Sequence, residues 1–461
     1  MNKYIQFYIG TLLLILFASC ETIVEVGLPD NKIQAETVFE DINTARSVLA
    51  GAYTNLRDQS LLSGERNSVG YLLSLYTDEL AISYDPQGTS VIFDIHNNTL
   101  LPINDRVQSI WTSSYSHIYV INSLILGLEH SEKLPVSEKS SLLGESYLLR
   151  SLYYYYLTNL FGDIPLVTTL DYQINTKIKK TKHIDVLKFV EEDLLKSLEL
   201  LKYEYRNAER VFPNKAVVEL MLAKTYLLMN RNEEAATVSK KVIDNPLYLF
   251  EPDLKKVFKK TSLGTLWQYN LNNNRGATGE ALNYTWFTLP PSSAMMTESL
   301  LSSFSATDSR KIEWVKTDKL NGQSWSHPHK YKNADRNSVN PDENSILFRI
   351  EEAYFIYAEA LANLDRVSDA IPFINKTRQR AGLQLLPTDL TKEEFVGEML
   401  EEAKREFFTE HGHRFFDLKR NNKLNILEKT KPNWEAKHAL FPYPEKEILL
   451  NPNLLPNNEG Y

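Results

Sequence analysis

Between Asn214 and Pro246 the chain carries a spacing that few folds accommodate. Leu222, Ala223 and Tyr226, then Ala235 and Val242, fall at helical intervals on either side of Asn230-Arg231-Asn232, and Pro246 closes the run. Two short helices joined by a tight turn satisfy this pattern, with alanines where the helices approach most closely. Such a pair cannot bury its apolar face alone and needs neighbours of the same kind. The spacing recurs at Tyr357, Ala358, Leu361, Ala370 and Ile374 around Leu364-Asp365-Arg366.

This is the spacing of a tetratricopeptide-like unit, and two copies so far apart predict helical repeats interrupted by a large insertion. The flanking sequence agrees with a mostly α chain. Apolar residues at three- and four-residue spacing predict helices over Thr37 to Gln59, Val107 to Glu129, Ser137 to Leu160 and His183 to Tyr203. Four consecutive tyrosines, Tyr153 to Tyr156, point all round the second long helix, some buried and some exposed. Trp111 falls within a helical pattern and reads as core. Ser83 to Arg106 reads as loop with a short strand at Val91 to Ile95. From about 264 to 344 helical periodicity weakens outside Thr297 to Phe304, and Asn, Ser, Gly and Pro become common. Four of the six tryptophans crowd into that polar stretch.

The N-terminus sets the compartment. Lys3 precedes an apolar run from Ile9 to Ala18, about half of the ~20 residues a spanning helix needs, followed by Ala18-Ser19-Cys20. Cys20 is the only cysteine in 461 residues, so no internal disulfide accounts for it. The pattern resembles a bacterial lipoprotein signal, which implies cleavage after residue 19, lipidation of Cys20 and a linker over 20–36. The rest, 37–461, reads as one domain carrying the insertion. A net charge of −8 argues against nucleic acid, whose phosphates demand a basic surface.

Several stretches, taken in order, carry a resemblance to a known family. They are Ala50-Gly51-Ala52-Tyr53, then Leu148-Leu149-Arg150-Ser151-Leu152-Tyr153-Tyr154 running into Phe161-Gly162-Asp163-Ile164-Pro165. Arg349-Ile350-Glu351-Glu352-Ala353-Tyr354, Tyr357-Ala358-Glu359-Ala360, Asn375 to Arg378, and Arg380-Ala381-Gly382 follow. His413 to Arg420 and the tail Asn451-Pro452-Asn453-Leu454 complete the series. With the lipidation signal, this order resembles the SusD/RagB family of surface nutrient-binding lipoproteins. The resemblance implies a tetratricopeptide-scaffold fold with loop-rich ligand-binding insertions, anchored by lipid in the outer membrane. It implies binding of an oligosaccharide, or of a peptide in the RagB branch, and transfer to a SusC-like TonB-dependent transporter that the protein caps as a lid. No catalysis and no cofactor belong to that role.

Aromatic rings offer flat apolar faces that match the C–H faces of sugars, and neighbouring polar side chains fix orientation. The candidate ligand residues are therefore Trp267, Tyr269, Trp286, Trp314 and Trp325, with Asn273 and Arg275 close in sequence. Tyr84 and Asp85 join them because the family's ligand face draws on that loop. The four tryptophans favour sugar over peptide. A scaffold that only assembles other proteins would show a smooth repeat face, and a glycosidase would need two carboxyl groups roughly 5–10 Å apart across a cleft. His327-Pro328-His329 and His411-Gly412-His413 lack the spacing of a metal signature, so no metal is expected. Arg414 and Asp417, three apart on a helix, are positioned to pair.

Overall fold

The computed structural model describes residues 39, 41–82, 90–272, 275–291, 293–339 and 341–461, so the expected signal peptide, Cys20 and the linker lie outside the described residues. The elements in chain order begin with helices α1 (Ile42–Gln59) and α2 (Val69–Tyr76), strand β1 (Leu80–Ala81), and helices α3 (Ser90–Asn97), α4 (Asp105–His130) and α5 (Val136–Phe161). Strand β2 (Ile164–Pro165), α6 (Tyr172–Asn175), β3 (Lys180–Thr181), α7 (His183–Leu200), α8 (Lys215–Leu228) and α9 (Asn232–Asp244) follow. Next come β4 (Thr265–Tyr269), α10 (Gly279–Tyr284), β5 (Met295–Met296), α11 (Glu298–Ser303), α12 (Ser309–Glu313), β6 (Val315–Leu320), β7 (Gln323–Pro328) and β8 (Ser345–Arg349). Helices α13 (Ile350–Asn363), α14 (Val367–Arg380), α15 (Lys392–Phe407), α16 (His413–Arg420) and α17 (Glu445–Leu450) close the chain. Among the described residues no helix is long and apolar enough to cross a membrane.

The helices pack as a succession of neighbours: α1 on α4, α4 on α5, α5 on α7, α7 on α8, α8 on α9, α9 on α13 and α13 on α14. The two repeat copies read from the sequence, α8/α9 and α13/α14, are thus adjacent in space. The reason lies in β4 and β8, which pair antiparallel from Thr265↔Arg349 to Tyr269↔Ser345 and clamp the neck of the intervening segment. Residues between them leave and return at one place, and the helical stack continues across the gap. The close approach expected of alanines holds: Ala223, Ala235, Ala358 and Ala370 are all fully buried.

Helix α5 runs through the middle of this stack, which corrects the reading of its tyrosines. Tyr153 to Tyr156 are all buried, because α1, α4, α7 and α8 between them cover the whole circumference of the helix. Residues 90–97, read as part of a loop with a short strand, form α3 instead. The tail forms α17 and two short 3₁₀ turns. Its asparagines staple it to the scaffold. Asn451 donates to the Ile178 carbonyl at 2.8 Å, and Asn458 donates to the carbonyls of Phe161 (2.9 Å) and Phe441 (2.7 Å).

The C-terminal sequence stretches converge on a buried lattice of charges. Glu406 of α15 accepts from Arg349 at 2.7 Å, Arg380 at 2.5 Å and Arg310 at 3.0 Å. Arg310 also bonds Asp308 and Glu402, Arg349 bonds Glu410, and Arg380 bonds Glu351. Burial pushes the Glu406 carboxyl up, but Arg380, Arg349 and Arg310 together hold it well below the usual carboxylate range. Gly412, at φ +77°, reverses the chain between α15 and α16 in the left-handed conformation that glycine tolerates. The expected pair of Arg414 with Asp417 does not form. Arg414 turns inward to Asp78 (2.9 and 3.1 Å), while Asp417 takes Arg420 (2.8 Å) and His413 (3.3 Å). The two sides of one helical turn serve different layers of the core.

Candidate functional site

Six of the nine residues proposed for ligand contact are described, and the structure divides them. Tyr84, Asp85 and Asn273 lie outside the described residues. Trp267 is 0% exposed on β4, its indole N–H donating to the Val211 carbonyl at 3.2 Å and its ring edge-on to Tyr53. Trp314 is 1% exposed, donates to the Leu254 carbonyl at 3.0 Å and meets Phe258 edge-to-face. Tyr269 is buried beside Trp267. These three present no face to a ligand and are corrected to core residues. They wedge the insertion against the helical stack, which explains why so polar a stretch is rich in tryptophan. Arg275 pairs with Glu65 on the loop after α1.

Trp286 and Trp325 remain, and one hairpin relates them. Strands β6 and β7 form a hairpin around Asn321 (φ 50°) and Gly322 (φ 80°), the positive-φ pair that a two-residue turn requires. Residues opposite one another on such a ribbon, and those two apart along it, share a face. The register Lys316↔His327, Asp318↔Trp325 and Leu320↔Gln323 therefore puts Asp318, Trp325, His327 and Gln323 on one face. Thr317 and Ser326 occupy the other, where their hydroxyls meet at 2.8 Å. Trp286 lies on that first face at its root, its ring centroid 4.7 Å from His327 at an interplanar angle of 51°. Its indole N–H is buried without a hydrogen-bond partner among the described residues. Phe287, next in the chain, is 77% exposed.

The result is an aromatic ledge with polar groups set into it. His327 Nε2 lies 3.4 Å from Asp318, and Lys316 lies 3.7 Å from the same carboxylate. Burial pushes His327 below its ordinary value and, with His327 nearby, takes His329 down to about 4, so both rings are neutral at pH 7. Asp318 and Gln323 thus supply acceptor and donor atoms beside a flat apolar ring. Asp318, Gln323 and Phe287 were missed in the sequence, although Asn321-Gly322 flanked by six residues on each side fixes the hairpin register and with it the Asp318–Trp325 pair.

A pocket of about 380 Å³, lined mostly by polar residues, shares no residue with the ledge. Its walls include Ala81 of β1, His96 and Asn97 of α3, Asn98, Thr297 and Asn433. Strand β5 separates the two features, pairing with β1 and packing against β7. At the pocket's inner edge Asp78 binds Lys404 at 2.7 Å and Arg414, and the backbone of Asp78 and Glu79 holds Thr297 in place. Among the described residues Glu79 has only Ser74 Oγ (2.6 Å) and the Thr409 N–H (3.4 Å) as donors, and burial pushes its carboxyl up to about 7. The folded state then holds a proton that the unfolded chain has released, and stability falls as pH rises through that window. Relative to wild type, Glu79→Gln is expected to gain about 2–3 kcal/mol between about pH 5 and pH 8. Urea unfolding of both proteins across that range reads the difference, and a constant offset would show that Glu79 is ionised throughout.

The comparisons with known proteins bear on the whole chain. Residues 29–227 match a family model described as starch-binding associating with outer membrane, and residues 306–461 match the SusD family model. SusD-like protein P2 of Formosa agariphila is 26% identical, with 100% of each chain covered. A SusD superfamily protein from Bacteroides vulgatus superposes with a TM-score of 0.79 at 22% identity, over 92% of this chain and 100% of that one. Surface glycan-binding protein A from Bacteroides thetaiotaomicron, in complex with laminarihexaose, superposes with a TM-score of 0.76 at 19% identity, over 90% of this chain and 99% of its own. Stacked helix pairs, a clamped insertion and family matches at both ends of one continuous scaffold leave a single assignment: the chain belongs to the SusD/RagB family.

Proposed function

We propose that the protein is a surface lipoprotein, anchored through Cys20 in the outer membrane, that binds oligosaccharides and passes them to a SusC-like TonB-dependent transporter. The observation that carries the reading is the ledge, where Trp325 shares a strand face with Asp318 and Gln323 beside Trp286 and the exposed Phe287. An indole face takes the C–H side of a pyranose, and a carboxylate beside it accepts two hydroxyl protons, so ring and hydroxyls are held at once. Sugar-binding relatives support the class: one matching structure is a laminarin-binding SusD-like protein, and another holds laminarihexaose. Binding and release suffice for this role, with no bond made or broken. The lipid anchor restricts the protein to the membrane plane, which raises the effective concentration at a membrane partner without any new contact.

Intrinsic tryptophan fluorescence of the protein, titrated with a glycan panel and a peptide digest, tests the reading. Trp111, Trp267, Trp314 and Trp434 are all buried, and the Trp286 and Trp325 variants, rather than the shift alone, assign a response to the ledge. A shift with a glycan that disappears in Trp286→Ala or Trp325→Ala is the expected result. A shift with peptides alone would reassign the ledge to peptide capture.

A further inference from the structure

A second concavity, of about 340 Å³, lies away from the ledge and shares no lining residue with it or with the polar pocket. One wall is a stripe on α4: Trp111, Tyr115 and Tyr119 recur every four residues and so lie along one helix face. Tyr172 of α6, 71% exposed, stands at the mouth with Tyr119, which is 48% exposed. Large rings left half in water at the rim of a cavity are uncommon as core residues and suit a ligand that brings its own apolar face.

Two polar groups converge on the same cavity. Asn175 donates its amide N–H to the Thr169 carbonyl at 2.8 Å, which orients its Oδ1 the other way. That oxygen is buried and has no hydrogen-bond partner among the described residues. Glu447 also lines the cavity, held against α4, where Gln108 (2.7 Å) and Thr112 (3.2 Å) both donate to its Oε1, leaving Oε2 as an acceptor. An aromatic cleft holding an unpartnered amide oxygen and a free carboxylate oxygen suits a ligand with an apolar face and hydroxyl donors at its edge, and the Tyr119 and Tyr172 hydroxyls can bond hydroxyls in either direction. The volume sits in the lower part of the ~300–1,000 Å³ range of small-ligand pockets. We infer that this groove is a second saccharide-binding site, taking one or two pyranose units between Tyr119 and Tyr172, with hydroxyls donating to Asn175 and Glu447. The ligand class rests on the proposed function, but the site is independent of the ledge.

Two sites on one tethered chain would hold a polysaccharide bivalently, with the second contact made intramolecularly. The test labels the full-length protein with 5-fluorotryptophan and follows its fluorine resonances against laminarihexaose, cellohexaose, maltohexaose, xylohexaose, a sulfated galactan hexamer and an apolar peptide. Trp111 reports on the groove and Trp325 on the ledge. The expected result is a saturable shift of Trp111 with at least one saccharide, weakened tenfold or more in Tyr119→Ala/Tyr172→Ala while any Trp325 response is unchanged. The near-isosteric Asn175→Asp and Glu447→Gln provide a second reading with little risk to folding, each changing the affinity seen at Trp111 alone. A saccharide that moves Trp325 and leaves Trp111 still overturns the second site and spares the first. Movement of Trp111 by the peptide alone overturns it in favour of a protein partner. Silence of both tryptophans overturns both readings.

Discussion

Glu406→Gln is expected to destabilise the protein by about 3–5 kcal/mol, the cost of leaving buried charges without their partner. Arg310, Arg349 and Arg380 all donate to this one carboxylate, from three different parts of the chain: α12, the end of β8 and the end of α14. A glutamine of the same shape keeps one acceptor oxygen but turns an N–H toward at least one guanidinium, which has no lone pair with which to receive it. The remaining carboxylates of Asp308, Glu351, Glu402 and Glu410 are already engaged with the same cations. The pH dependence follows from the depressed carboxyl. Its contribution is complete above the unfolded value and is lost as pH falls toward the folded one, so the gap between wild type and Glu406→Gln narrows below about pH 4. Denaturation midpoints at neutral pH and in acid read both effects. A neutral-pH loss below about 1 kcal/mol would mean that the other carboxylates neutralise the guanidiniums unaided.

Much of the scaffold was legible in the sequence because helical periodicity is local. The alanine spacing of the two repeat units located α8/α9 and α13/α14. What periodicity could not show was that the units touch, since this depends on β4 and β8 pairing across some eighty residues of chain. For the same reason the tyrosines of α5 were misjudged. A sequence pattern records which face of a helix is apolar, but only the packing tells how many neighbours surround it. The tryptophans show the same limit at the site. Composition marked the insertion as unusual without distinguishing a ring that anchors a loop from one that the loop presents. Trp314 lies just before a hairpin strand and Trp325 on the next, yet one is sealed against Phe258 and the other shares a half-open face with Asp318. The conspicuous charged stretches that carried the family resemblance were least informative about binding. Arg349, Glu351, Arg380 and Glu406 are buried among one another and determine how the C-terminal helices assemble.

Trp314→Ala and Trp325→Ala, compared in one experiment, should separate these two roles. Trp314→Ala is expected to cost about 3–5 kcal/mol, because it empties a fully buried indole site and strands the Leu254 carbonyl that the ring N–H satisfied. Lys330 adds to that cost. Its ammonium lies 5.2 Å from the Trp314 ring and donates to the carbonyls of Glu406 and Phe408, so loss of the ring loosens the floor of the charge lattice. Trp325→Ala removes a partly exposed ring from a two-stranded ribbon and is expected to cost under about 1 kcal/mol. Ligand binding should order the variants the other way. Trp325→Ala, still folded, should weaken glycan affinity about tenfold or more, since a ring face lost from a stacking contact has no substitute in the neighbouring Asp318 and Gln323. Trp314→Ala, measured at a temperature where it remains folded, should retain affinity within a few-fold. Thermal unfolding and a glycan titration on both variants resolve the matter together. Equal stability losses would place Trp325 in the core with Trp314, whereas a loss of affinity confined to Trp314→Ala would mean that the ligand is held by the shape of the insertion rather than by its exposed ring.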